Sequence, residues 1–308
     1  MNFENCNLFK LNRKRDLKRI LGVKNLDLIS FLRIQYKIRI QNGKRLIEEP
    51  CKELKVIQRR LLRQLYDIEF DDYIFSGVPG KSAYDNALYH VEADEILKLD
   101  MQKFFPNTSR EKVYCFFKNI MKMSPDLADI CTDITTIDYS LVPISSEVEA
   151  FLRRNNIKYR NHLPSGTPTS QLLSYLANLK MFDEMYEYAN DNNIRLSIYV
   201  DDVAFSIKGF HFKDKNLGSI TKIIRKNGYR VSKEKTKRYI GSQFKKVTGF
   251  VISPEKQLVI PNKIRMKIKR RIGSKKEADK RQKESIKGLI KFAQMSDSHG
   301  YKKLLSQL

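Results

Sequence analysis

Apolar positions recur along the chain at two spacings, and each change of spacing marks a change of element. In EEPCKELKVIQRRLLRQLY, Pro50 can open a helix, after which Leu54, Ile57, Leu61 and Leu65 repeat at three- and four-residue steps. The result is one buried stripe with Arg and Lys outside, and ordinary core packing accounts for it. A shorter helix is expected near LDLISFLRIQ. Between residues 91 and 252, strand-like runs (EILKLDM, IRLSIYV, VAFSIK, KKVTGFVIS) mix with helix-like ones (REKVYCFFKNIM, SQLLSYLANLKMFDEMYEYA, GSITKIIRKNG). The alternation lacks regular strand–helix–strand repeats, which predicts an α+β fold over a doubly wound sheet. Residues 261–308 keep apolar positions such as Ile264, Ile268, Ile286 and Ile290 within a run of basic residues, and read as basic helices able to grip a backbone. No internal repeat or low-complexity linker interrupts the chain.

Charge sharpens this picture. The 308 residues hold 59 Lys and Arg against 35 Asp and Glu, a net charge of +24. Self-repulsion on that scale favours a polyanionic partner, a nucleic acid, over an acidic-substrate pocket alone; a generically basic protein is the bland alternative. Residues 261–308 carry 15 Lys and Arg against 4 Asp and Glu, an excess of +11. With 41% hydrophobic residues the chain can still bury a substantial core. Cys6, Cys51, Cys115 and Cys131 are too far apart for C-x-x-C spacing and read as ordinary thiols of a reducing compartment. No stretch approaches the roughly twenty apolar residues of a membrane span, and the polar start lacks a signal-peptide core. A cytoplasmic protein with no membrane partner is expected.

Candidate chemistry centres on SIYVDDVAFS, residues 197–206. Two short strands joined by an Asp-Asp connection make a tight hairpin, and aspartate is a favoured turn residue, so turn formation alone accounts for the pair. The alternative is a sheet tip that presents carboxylates to divalent metal. Asp100 ends a second strand-like run in ILKLDMQKFFPN, followed by Phe104, Phe105 and the strand-breaking Pro106. A strand-terminal Asp beside that hairpin gives three carboxylates that repel one another without a cation. Two Mg²⁺ about 3.5–4 Å apart would activate a 3′ hydroxyl and neutralise a leaving pyrophosphate. Between the two blocks, HLPSGTPTSQLLSYL makes a rigid Gly/Pro turn whose Gly166 lets backbone approach a ligand closely, with Thr169 or Ser170 able to cap the next helix.

In this order and spacing the blocks resemble the palm of a reverse transcriptase. Tyr199-Val200-Asp201-Asp202 matches its YxDD box, Asp100 to Phe105 its aspartate-plus-aromatic box and Leu163 to Ser170 its LPxGxPxS box. Asn86-Ala87-Leu88-Tyr89-His90 fits the NAxxH element, and Val247-Thr248-Gly249 the VTG element, of bacterial retron reverse transcriptases. KRLIEEPCKELKVIQRRLL resembles the fingers entry of that group, and KNGYRVSKEKTKRYI its later palm motif, so similarity runs from about residue 43 to the end. Ser165 stands where many reverse transcriptases carry Gln, and Gln171 where many carry Pro, which puts transfer of nucleotide-pocket details in doubt.

The resemblance implies a right-hand polymerase fold. The expected division is an N-terminal segment and fingers at 1–90, a palm at 91–252 with a fingers insertion at about 126–164, and a basic helical thumb at 253–308. It also implies dNTP substrates and a cognate structured non-coding RNA as template and primer. DNA synthesis would start from the 2′ hydroxyl of an internal guanosine and leave RNA-linked single-stranded DNA. Service in phage defence beside an effector protein is further expected, and any RNase H activity is expected to come from elsewhere. Asp100 and Asp201 are the implied direct metal ligands, the Met101 carbonyl a further oxygen and Asp202 a supporting charge. Phe105 is the implied steric gate against a 2′ hydroxyl and Phe104 a core residue. Gly166 is expected at the nucleotide site. Lys235 either protonates pyrophosphate or is a solvated charge, and Arg45 meets the triphosphate on the same terms. Asn86 and His90 either cap and stack within a helix, or else contact the cognate RNA or give structural support to the fingers. Val247, Thr248 and Gly249 either bend a strand or let an RNA backbone approach. Two other classes stay open: another palm polymerase (group II intron-like or RNA-dependent RNA polymerase), disfavoured by Phe105, and a catalytically silent RNA-binding protein, disfavoured by the intact aspartates.

Overall fold

The computed structural model describes residues 1–273, 280–296 and 301. Its first elements are α1 (Lys14–Leu21), α2 (Leu28–Leu32) and an antiparallel hairpin of β1 (Tyr36–Gln41) and β2 (Arg45–Pro50). Pro50 ends β2 instead of opening a helix: α3 (Lys52–Leu65) starts two residues later with Cys51 at its N-cap. The predicted stripe holds, with Leu54, Ile57, Leu61 and Leu65 all buried. Next comes α4 (Ala83–Leu88), closed at its start by a reciprocal Ser82–Asp85 capping box.

The central sheet is antiparallel. It contains β3 (Glu95–Asp100), β6 (Arg195–Tyr199), β7 (Asp202–Ile207) and β8 (Lys237–Tyr239) in the order β6-β7-β3-β8. β3 and β7 are buried along nearly their whole length, as a sheet covered on both faces requires. Between β3 and β6 lie α5 (Arg110–Cys115), a π-helical turn at Phe116–Ile120, α6 (Pro125–Thr135), β4 (Ile137–Asp138), α7 (Ser146–Arg154), β5 (Asn161–His162), α8 (Ser170–Leu176) and α9 (Leu179–Asp191). The run SQLLSYLANLKMFDEMYEYA reads as one helix from periodicity but breaks at Asn178 (φ −123, ψ 22) into α8 and α9. After β7 comes α10 (Asp214–Lys226).

Three apolar clusters organise the chain. The largest joins α1–α3, strands β3, β6 and β7 of the central sheet, and α5, α6 and α8–α10. A small one joins Leu46 of β2 to Ile137, Tyr139, Val148, Phe151 and Leu152. The expected insertion at 126–164 is therefore split, because α6 packs into the main core while residues 137–157 pack on the β1–β2 hairpin. The third cluster lies under β9 (Lys245–Val247), β10 (Phe250–Ile252), β11 (Leu258–Val259), α11 (Asn262–Gly273) and α12 (Lys280–Gln294). β9, β10 and β11 form one sheet, so the expected boundary after residue 252 would cut between paired strands. Within 261–308 the helices expected from the sequence are present as α11 and α12; 274–279, 297–300 and 302–308 lie outside the described residues.

Gly166 shows how tightly the turn before α8 is seated. A Cβ built there would lie 2.4 Å from the Glu48 carbonyl oxygen and 3.2 Å from the Glu49 Cα. The close approach in this structure is to the backbone of β2. Gly166→Ala is expected to destabilise the protein by about 1–3 kcal/mol, read by urea unfolding; a change within experimental error would show that β2 does not press on this turn.

Candidate active site

Three acidic side chains meet where β3 ends and β6 turns into β7. Antiparallel pairing sets Asp100, the last residue of β3, opposite Asp202, the first of β7. Tyr199 pairs with Asp202 on the other side, so the two-residue loop is Val200–Asp201 and not the Asp201–Asp202 pair expected from the sequence. A two-residue hairpin needs positive φ at its first central position to match strand twist, and Val200 takes φ +60. A branched side chain is strained there. Pairing on both flanks overrides the strain, and the Met101 amide donates to the Asp201 carbonyl at 2.9 Å. Met101 itself is buried beside Asp100.

Each carboxylate meets a different neighbour. Lys235 Nζ donates to both oxygens of Asp100, at 2.9 and 3.0 Å, and Lys98 Nζ lies 2.8 Å from Asp202. Among the described residues Asp201 forms no ion pair. Burial, then the charges of Asp100 and Asp202, push its carboxyl up to about 6. The hydrogen bond to Asp100 raises Lys235 despite its partial burial. No group of three His, Cys, Asp or Glu among the described residues is arranged to hold an ion as it stands; two of these carboxylates are turned to lysines. The donor set still fits a hard divalent cation, because it is all oxygen and its like charges are balanced only by ammonium groups that a cation can displace.

A cleft of about 940 Å³ opens at the tip. Asp100, Met101, Asp201, Phe105, Arg45 and Lys235 line it, so the structure brings together six of the residues singled out in the sequence. Phe104 is core, as expected, and Phe105 is half-buried at the cleft wall. Asp202 and Gly166 are not in the lining. Sequence reasoning missed Lys103 and Arg154, which also line it. Burial, then the charge of Lys235, lowers Lys103 from the ordinary lysine range. A lysine three residues after Asp100 was a visible signal; Arg154, at the end of α7, had none.

The turn before α8 is fixed from beneath by a buried polar network that the sequence did not reveal. Glu48 of β2 accepts from the Tyr139 hydroxyl, from the Ser165 amide at 3.0 Å, and bonds His162 Nε2 at 2.8 Å. Burial raises the Glu48 carboxyl, but the charge and hydrogen bond of His162, with the other donors, outweigh that and hold it low. Ser165 also donates to the Leu46 carbonyl at 2.5 Å, and Gln171 donates to Ser76. These contacts give the two residues that depart from the common box a role in seating the turn. The Thr169 side chain makes no cap, and its hydroxyl is buried without a partner.

The NAxxH and VTG elements meet each other through Asn86 and Thr248. Val247 is buried, and Thr248–Gly249 form the two-residue turn between β9 and β10, both with positive φ (+42 and +93). The Thr248 hydroxyl donates to the Ala83 carbonyl at 2.8 Å and lies 3.4 Å from Asn86 Nδ2. Asn86 is buried, with its Oδ1 unpaired. His90 is wholly buried between the central strands, Nδ1 at 2.7 Å from the Ser206 hydroxyl and Nε2 at 2.7 Å from that of Ser197. Burial pushes it down to about 3, so the ring is neutral. Direct RNA contact by Asn86, His90 and Val247 is therefore corrected: their side chains are buried, Asn86 joining α4 to the β9–β10 turn and His90 tying β6 to β7.

An antiparallel sheet with acidic residues at its hairpin tip, a fingers lobe across a cleft and a helical lobe beyond defines a right-hand polymerase. Residues 37–282 match the family described as reverse transcriptase (RNA-dependent DNA polymerase), and the chain belongs to that family. It is 28% identical over 243 residues to the retron Se72 reverse transcriptase of Salmonella heidelberg (strain 579083-10), covering 73% of this chain and 56% of that one. It is 26% identical over 271 residues to the retron Ec86 reverse transcriptase of Escherichia coli, covering 86% and 75%. To the retron Mx162 reverse transcriptase of Myxococcus xanthus it is 25% identical over 289 residues, covering 86% and 58%. Among the described residues no helix is long and apolar enough to cross a membrane.

Two outcomes follow from the charges and burial. The raised Asp201 carboxyl costs stability above pH 6, and that cost fades as pH falls from about 6 toward 3.8. Asp201→Asn should raise unfolding free energy at pH 7.5 without metal by on the order of 1–2 kcal/mol, and Mg²⁺ should stabilise the parent more than the variant; equal Mg²⁺ stabilisation would refute the metal site. His90→Ala should destabilise by about 2–4 kcal/mol, since it leaves a cavity and two unpaired hydroxyls. Urea unfolding beside extension assays on a structured RNA and on a generic primed template would check this: equal losses on both are expected, and a loss confined to the structured RNA would restore a contact role.

Proposed function

We propose that the chain is a retron-type RNA-directed DNA polymerase. It would copy a cognate structured non-coding RNA into single-stranded DNA, primed from an internal guanosine 2′ hydroxyl, with dNTPs as substrates. The observation that carries this reading is the meeting of Asp100, Asp201 and Asp202 at one sheet tip, beside a cleft lined by Phe105 and by Arg45, Lys103 and Lys235. Two magnesium ions would there activate the attacking hydroxyl and neutralise the leaving pyrophosphate. Asp100 and Asp201 would hold them, with the Met101 carbonyl as a further oxygen and Asp202 as supporting charge. Lys235, released from Asp100, would face the departing pyrophosphate and could give it a proton. Arg45 would meet the triphosphate, and the half-buried ring of Phe105 would crowd a 2′ hydroxyl. The basic helices α11 and α12 would hold the nucleic acid through phosphate contacts, so binding should weaken steeply with salt.

The retron assignment draws on the three curated relatives and on the NAxxH and VTG elements, and with it come an RNA-linked DNA product, an effector protein partner and a part in anti-phage defence. Thr248 and Gly249, half-buried at the turn, are the residues of that group left with surface to offer an RNA.

Primer extension on an RNA template, with dNTPs and NTPs compared, tests the reading. Extension with dNTPs is expected; preference for NTPs would favour an RNA-dependent RNA polymerase, and no extension with intact RNA binding a silent binding protein. Phe105→Ala should lower discrimination against ribonucleotides by about 10- to 200-fold, and unchanged discrimination would remove its gate role.

A further inference from the structure

A second cavity of about 1050 Å³ adjoins the cleft, sharing Gln102, Ser232 and Glu234 with it. Lys158, Arg225, Arg230 and Lys233 line it, all four exposed and without an ion pair among the described residues. In a chain with 24 excess positive charges, a solvated lysine means little alone. What distinguishes this group is its attachment to the reaction centre. The Gln102 amide donates to the Arg230 carbonyl and the Ser232 amide to the Asp100 carbonyl, each at 2.8 Å, and Met101 bridges Val231. The segment that carries Arg230 and Lys233 is therefore hydrogen-bonded to the end of β3 that carries Asp100.

The chemistry of the lining selects phosphate over bases. Two guanidinium groups, two ammonium groups and the hydroxyl of Thr221 are donors suited to phosphate oxygens. Tyr229, the one aromatic residue of the lining, is 2% exposed, and its hydroxyl is 2.9 Å from both Thr108 Oγ1 and Asn178 Oδ1. It offers no face for base stacking. A template and primer filling the main cleft would also obstruct the pyrophosphate released there.

We infer that this groove binds polyphosphate and is a passage between the reaction centre and solvent, for departing pyrophosphate or the triphosphate of an arriving dNTP. The passage rests on the polymerase reading, but the groove's ligand can be tested without catalysis. Inorganic pyrophosphate is titrated into the full chain and into Arg225→Gln/Arg230→Gln/Lys233→Gln, with ³¹P NMR or calorimetry as readout. The same pair is then titrated with a primed RNA. Pyrophosphate affinity should fall at least tenfold while RNA affinity changes less than twofold. Unchanged pyrophosphate affinity, or an RNA loss equal to or larger than the pyrophosphate loss, would overturn the inference and, in the second case, make the groove an RNA track. Arg225→Gln alone, at the exposed end of α10, should give a smaller loss in the same direction and serves if the triple variant is unstable. In extension assays, a rise in the pyrophosphate inhibition constant with unchanged dNTP KM assigns the exit route, and a rise in KM the entry route; neither change, in a protein that does extend primers, would sink the passage.

Discussion

Like charges crowded at one point of a sheet set the terms for the rest of this molecule. The end of β3 and the β6–β7 turn bring Asp100, Asp201 and Asp202 together, and burial limits the water that would screen Asp201. The protein answers with lysines: Lys235 on Asp100 and Lys98 on Asp202. Asp201 is left with a raised carboxyl. Among the described residues only those two ammonium groups pair with the carboxylates, and the turn that presents Asp201 holds Val200 at positive φ. A scaffold that pins both flanks of the turn is needed, and the four antiparallel strands provide it.

The surrounding structure fixes the segments around that site to one another. Glu48, His162 and Tyr139 form a buried polar knot that fastens the turn at 163–166 to β2. His90 staples β6 to β7, and Asn86 of α4 meets Thr248 at the β9–β10 turn. Residues that carry family motifs thus divide into those in the cleft and those that position the cleft from within. Basic side chains cover the outside, where phosphates are the natural counter-charges.

Much of this was legible in the sequence, for physical reasons. Alternating apolar residues around Asp100 and around Asp201–Asp202 forecast strands whose ends bring acids together, and the stripe through Leu54 and Leu65 forecast α3. Exact register was not legible, because turn type decides it: the loop is Val200–Asp201, one residue earlier than the acidic pair suggested. Burial of polar residues was also hidden. Nothing local separates a histidine that touches RNA from one that bridges two serines 107 and 116 positions away. The neighbour of Gly166 was hidden in the same way, since it is a distant strand. The Glu48 network and Arg154 join segments about a hundred residues apart, and no spacing rule connects them.

The most direct measurement is a crystal structure grown with Mn²⁺, a primed RNA template and an incoming nucleotide, read by anomalous scattering. The account predicts manganese peaks bound by Asp100 and Asp201, with Lys235 moved off Asp100 toward the phosphates. Peaks elsewhere, with Lys235 still bonded to Asp100, would contradict it.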